Sequence, residues 1–242
     1  MEATARPRER AKLEYDLYDR VLAQNTKLKT YPVVGNHDVW GWGLKDATAR
    51  DVEYGKAMAL DRLQLKSPYY AFDAGGWHFI ILDSIFAHVP EDPTERVYLG
   101  QLGAEQVEWL KSDLANTPPA TPIAIFSHIP ITAACLLFDP SRRVKGQRAY
   151  VVQDYAMHAD ARDIVELVQP YNVKLLVSGH IHMVDRIEYR GRTFICDGAV
   201  SGNWWKGPRL SFPEGYGLFD LYPDGRFEHR YVTYGWNAAK DA

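Results

Sequence analysis

Two short apolar runs constrain this chain more than any other feature: Ile123-Ala124-Ile125-Phe126 and Leu175-Leu176-Val177, each followed at once by a histidine-bearing turn, Ser127-His128 and Ser178-Gly179-His180-Ile181-His182. An unbroken apolar run of this length, bounded by turn residues, suits a strand buried on both faces, and such strands need helices packed over the sheet. A third segment, Tyr31-Pro32-Val33-Val34, reads as a short buried strand and stops at Gly35-Asn36-His37-Asp38. Functional side chains collect at the loops that leave such strands.

The remaining pattern is mixed. Residues 9–23 place Leu13, Leu17, Val21 and Leu22 at helical spacing, 46–63 is helical in composition, and 103–115 and 161–168 give two more helices. Residues 69–73 and 77–83, separated by Ala74-Gly75-Gly76, predict a hairpin. The tail alternates or runs apolar at 184–189, 192–196, 216–221 and 226–233 around Arg190-Gly191 and Pro223-Asp224-Gly225, which predicts a set of antiparallel strands. The expected fold class is therefore α/β, a layered sandwich with two central mixed sheets flanked by helices, in one domain over 1–242. A hydrophobic fraction of 46% supplies a core of that size.

Other features narrow the partners. A net charge of −3 gives no global electrostatic case for nucleic acid or an anionic membrane. No apolar stretch approaches the length of a membrane span, and the charged residues from Met1 to Lys12 hold no apolar signal core. The sequence leaves oligomeric state and localisation open. Cys135 and Cys196 are far apart and predicted free.

The three loops carry the chemistry. Neutral imidazole suits transition metals, an Asn carbonyl oxygen is a plausible further ligand, and a glycine before the first and last loops lets the backbone turn sharply off its strand. In order and spacing, Gly35-Asn36-His37-Asp38, His128 and Gly179-His180-Ile181-His182 resemble the last three of the five motifs of the calcineurin-like metallophosphoesterases. The resemblance implies that Asn36, His128 and His180 bind one metal ion and His182 a second. It also implies that His37 protonates the leaving oxygen or steadies transition-state charge, and that Asp38 orients His37. The cofactors implied are two divalent or trivalent ions (Mn, Fe, Zn or Co). The partner is a phosphate-ester small molecule, a monoester or a diester. Two such ions, about 3.5–4 Å apart, lower the pKa of a bridging water and clamp the phosphoryl oxygens.

The family's first two motifs, Asp-x-His and Gly-Asp, do not occur in the chain, and 34 residues precede Gly35. The expectation is a fold that lacks the first strands, with a gap or exposed sheet edge, and a second metal site reduced to His182. A start placed too far downstream is the first explanation, a silent remnant or completion by a second chain the others. The leading reading is a metal-dependent phosphoesterase, inactive here if the bridging carboxylate is lost; the alternative is a catalytically silent metal-binding or scaffold module of the same fold. Trp40, Trp42, Trp204 and Trp205 either wall a pocket or cap the sheet; the last two lie in a segment that resembles one in secreted bacterial members of the family. Residues 130–159 lack periodicity and suit a substrate-covering insertion, in which Arg142, Arg143, Lys145 and Arg148 either contact phosphate or form a solvated face. His78, His88, His158 and His229 are expected to be structural or exposed.

Overall fold

A computed structural model describes residues 2–91 and 96–238; Met1, the first residue of the charged lead-in, lies outside them. The described residues form the α-helices α1 (Arg8–Asn25), α2 (Ala57–Arg62), α3 (Ala104–Asn116) and α4 (Ala161–Val168). The strands of the main sheet are β1 (Tyr70–Ala74), β2 (Trp77–Leu82), β5 (Ile123–Ser127), β6 (Val173–Ser178), β7 (Asp185–Tyr189) and β8 (Arg192–Cys196). Two short pairs complete the set, β3 (Ile85–Ala87) with β4 (Tyr98–Gly100) and β9 (Gly215–Leu221) with β10 (Phe227–Thr233).

The main sheet is mixed, in the order β1-β2-β5-β6-β8-β7, with β2, β5, β6 and β8 parallel and an antiparallel strand on each edge. Alternation along β5 explains the two layers. Ile123 and Ile125 point into a cluster with Leu110 and Leu114 of α3 and Ile164 and Val168 of α4, while Ala124 and Phe126 face Phe219, Leu221 and Phe227 of the β9–β10 hairpin. The apolar run is buried on both faces, as its composition requires.

Three expectations need correction. Residues 31–34 form no strand and pair with none among the described residues. Pro32 has no N–H to donate, its carbonyl accepts from the Tyr70 hydroxyl at 2.9 Å, and Tyr31 stacks on Phe72 at 3.5 Å. Residues 46–56 are turns held by Thr48, Asp51 and the left-handed Gly55 (φ +69°), so only 57–62 of the predicted 46–63 helix forms. The tail does not make a separate antiparallel sheet throughout: β8 joins β6 in parallel and so extends the main sheet, leaving β9–β10 as a separate hairpin.

Helix α1 docks by Ala11 and Tyr15, both 0% exposed, into a cluster with Val34, Val39, Trp40 and Met58. Its Leu13, Leu17 and Val21 stripe faces outward. Among the described residues no helix is long and apolar enough to cross a membrane.

Candidate metal centre

The Asn36–Asp38 turn is fixed from outside, through its backbone. Tyr15 donates to the Asp38 carbonyl at 2.8 Å, Thr4 to the Asn36 carbonyl at 2.7 Å, and the Ala3 amide to the His37 carbonyl at 2.7 Å. The Asp38 carboxylate accepts from the Gly35 amide at 2.8 Å and closes the turn. With its backbone committed, the turn sends the buried Asn36 side chain inward.

His128 follows β5 directly, and its carbonyl accepts from the Gly179 amide at 3.1 Å, which ties the second loop to the third. His180 and His182 both adopt left-handed backbone (φ +69° and +57°), a conformation that costs energy for residues with a Cβ and collects at functional sites. The result is a close trio. Asn36 Oδ1 lies 2.8 Å from His128 Nε2 and 3.1 Å from His180 Nδ1, and the two ring nitrogens are 3.1 Å apart.

Protonation follows from the partners. His180 Nε2 faces the Tyr155 carbonyl at 2.8 Å, and a carbonyl can only accept, so the proton sits on Nε2 and Nδ1 presents a lone pair to the trio. Burial, the largest cause, takes His180 down to about 3 against the pull of that carbonyl, with neighbouring His182, His37 and Arg142 adding to the fall. Burial also holds His128 well below the usual imidazole range, aided by His180. Both rings are neutral at pH 7. Three donor atoms thus converge within 3.1 Å of one another. Two donors each about 2.1 Å from one transition-metal ion stand roughly 3 Å apart, so the donor set fits such an ion.

His182 stands apart from the trio. Its Nδ1 donates to the Gly202 carbonyl at 2.5 Å, leaving Nε2 as the free lone pair, and its ring lies against Trp204 at 4.6 Å. Burial again lowers its pKa, and Arg209 adds to the effect. His37 pairs its Nδ1 with Glu2 at 2.7 Å, so the residue that holds it is Glu2, while Asp38 turns to Gly35. Burial raises the Asp38 pKa, with the Gly35 amide opposing it.

Asn36, His37 and His180 border a cleft of about 320 Å³ whose lining also includes Arg142, Arg209 and Trp204. Of the insertion's basic residues, Arg142 reaches the cleft; Arg143, Lys145 and Arg148 are exposed. Trp40 is core, with its indole N–H on the Arg6 carbonyl at 3.1 Å, and Trp205 packs edge-on against Trp236. His78, His158 and His229 each pair with a carboxylate away from the trio. Both cysteines are free and buried. Sequence reasoning missed Tyr155, Gly202 and Glu2, because two of them act through backbone carbonyls and the third through a contact across the fold.

Among the described residues no group of three or more His, Cys, Asp and Glu side chains is placed to hold a metal; the third donor here is an amide. The chain is 27% identical over 207 residues to a 3',5'-cyclic-nucleotide phosphodiesterase from Nostoc, covering 82% of this chain and 63% of that protein. It is 29% identical over 119 residues to the 3',5'-cyclic adenosine monophosphate phosphodiesterase CpdA of Escherichia coli, covering 49% of this chain and 35% of that one. The chain thus spans less than two thirds of the length of either relative. The crystal structure of a dimetal phosphatase from Danio rerio has a similar fold, with a TM-score of 0.51 at 14% identity over 78% of this chain and 68% of that one. The sequence profile of the calcineurin-like phosphoesterases matches residues 8–184, and the chain belongs to that family.

Proposed function

We propose that this chain is the metal-binding part of a phosphodiester hydrolase, acting on a small nucleotide-like phosphodiester. The observation that carries the reading is the trio of Asn36 Oδ1, His128 Nε2 and His180 Nδ1, with the His180 tautomer set by Tyr155. Asn36, His128 and His180 would hold one ion, and the free Nε2 of His182 a second. A bound transition metal supplies Lewis acidity and lowers the pKa of a ligated water. The protein's own groups orient and exclude. His37 lines the cleft beside Asn36, with Nδ1 on Glu2, and would pass a proton to the leaving oxygen from Nε2. Trp204, tilted against His182 with ring centroids 4.6 Å apart, offers a face for an aromatic leaving group. The names of the two relatives support a diester substrate.

The test pairs bound metal per chain with hydrolysis of bis(p-nitrophenyl) phosphate. The expected result is metal-dependent turnover, abolished by chelator and reduced at least about a hundredfold in Asn36→Ala and His128→Ala. A second reading, a silent metal-binding module, is favoured by one observation: no carboxylate joins the trio among the described residues. Metal bound at one ion per chain without turnover would establish that reading and sink the first.

A further inference from the structure

Asp139 is a carboxylate with 4% of its side chain exposed, yet it sits in the wall of the cleft. One oxygen is committed to its own turn: Oδ1 accepts from the Ser141 amide at 3.0 Å and the Ser141 hydroxyl at 2.6 Å. The other faces two guanidiniums from distant parts of the chain, Arg209 Nη2 at 3.3 Å and Arg142 Nε at 3.7 Å. One carboxylate therefore stands against two cations, and Arg96, which also lines the cleft, makes three.

The guanidiniums are held in place, and that of Arg142 is incompletely satisfied. Arg142 has 11% of its side chain exposed, pairs Nη1 with Gln153, and leaves its buried Nε without a hydrogen bond, Asp139 Oδ2 standing 3.7 Å away. Tyr155, whose carbonyl orients His180, carries Arg96 and Arg142 near its ring at 5.4 and 5.6 Å. The Arg209 loop contains left-handed Trp204, Trp205, Leu210 and Ser211, so its course is held by structure and is not a relaxed turn. Both guanidiniums act on the imidazoles of the centre, Arg142 on His180 and Arg209 on His182, in addition to the burial that dominates there. A cationic cleft in a chain of net charge −3 selects for an anion.

We infer that Arg142 and Arg209, clasped by Asp139, form an oxyanion subsite that binds the non-bridging oxygens of a phosphate ester beside the Asn36–His128–His180 centre. This deepens the reading of the cleft as a phosphodiesterase site. Planar guanidiniums donate paired N–H groups to tetrahedral oxyanions. Asp139 is a positioning residue: it keeps both forks in the wall and leaves net positive charge for the ligand.

The experiment titrates inorganic phosphate into the chain as purified, and again after chelator treatment, with affinity read by calorimetry. Arg142→Met and Arg209→Met are each expected to weaken phosphate binding about tenfold or more under both conditions, and Arg209→Lys less than Arg209→Met. Asp139→Asn is expected to weaken it, with partial recovery in Asp139→Glu. Arg226→Met, in the β9–β10 turn, serves as the control and should bind as the parent does. Unchanged phosphate affinity in folded Arg142→Met and Arg209→Met overturns the subsite, even where ester turnover survives. Arginine-dependent phosphate binding without any ester hydrolysis upholds the subsite and defeats the hydrolase reading instead.

Discussion

Gly35 shows how tightly single atoms define this centre. A Cβ built there would come within 2.8 Å of the His128 ring at both Cε1 and Nδ1, and an imidazole held by Asn36 and His180 has nowhere to withdraw. The glycine is needed for close approach and not for a left-handed turn, since its φ is −107°. Gly35→Ala should therefore displace His128. The expected cost is about 1–3 kcal/mol by urea unfolding, typical of an overpacked site, with phosphodiester turnover lost by roughly a hundredfold. A variant as stable and active as the parent would show that His128 has slack, contrary to the trio described. At this scale the sequence was legible in residue type: Asn36, His128 and His180 lie within hydrogen-bond distance of one another, although the segment that leads into Asn36 is not the strand its composition predicts. It was not legible where backbone atoms act, as at Tyr155 and Gly202, because any residue type has a carbonyl. Nor could spacing alone show that Asp38 would close its own turn while Glu2 reached His37.

Elements were read well where periodicity is intrinsic and poorly where pairing decides. Helices α3 and α4 and the β1–β2 hairpin fall within a residue or two of expectation, because Leu110 and Leu114, or the Ala74-Gly75-Gly76 turn, specify them locally. Residues 31–34 have strand composition but find no ladder, and β8 joins β6 by a long-range choice that alternation cannot reveal. The join between the β1–β2 hairpin and α3 has its own electrostatic signature. His78 on β2 is bracketed by Asp73 of β1 at 2.7 Å and Asp113 of α3 at 2.9 Å. Asp113 is the largest cause of a raised His78 pKa; burial opposes it and Asp73 supports it. A raised folded pKa means that the ion pairs stabilise the fold fully below the unfolded value of about 6.5 and lose their contribution as pH rises through the higher folded value. Urea unfolding of the parent and of Asp113→Asn across pH 5–9 is the check. The difference in stability between the two should be largest at acid pH and shrink as pH rises; a constant difference would mean that Asp113 acts there as a neutral acceptor only.

At the scale of the whole molecule, the centre is a junction of parts that meet only in the folded chain. Asn36 and His128 are 92 residues apart, and Asn36 and His180 are 144 apart, so the donors cannot converge in an unfolded ensemble. The Asn36 turn is positioned by α1 and residues 3–4, His128 by the central sheet, and His180 by the insertion that carries Tyr155. An ion that binds the trio therefore binds the native state almost alone, and its binding free energy appears as stability. At a free ion concentration a hundred times Kd the gain is about 2.7 kcal/mol. For a chain of this length that corresponds to a rise in Tm of roughly 5–11 °C. The chelator-treated chain titrated with Mn or Zn in a thermal scan should show the rise, with little of it in Asn36→Ala or His128→Ala. Arg142→Met should keep it, because the guanidinium binds the anion and not the ion. A parent whose Tm does not move with metal would show that the three donors meet in a hydrogen-bonded network and not at a metal. An equal rise in parent and Asn36→Ala would place the ion at another part of the surface, and either result removes the ground for the hydrolase reading.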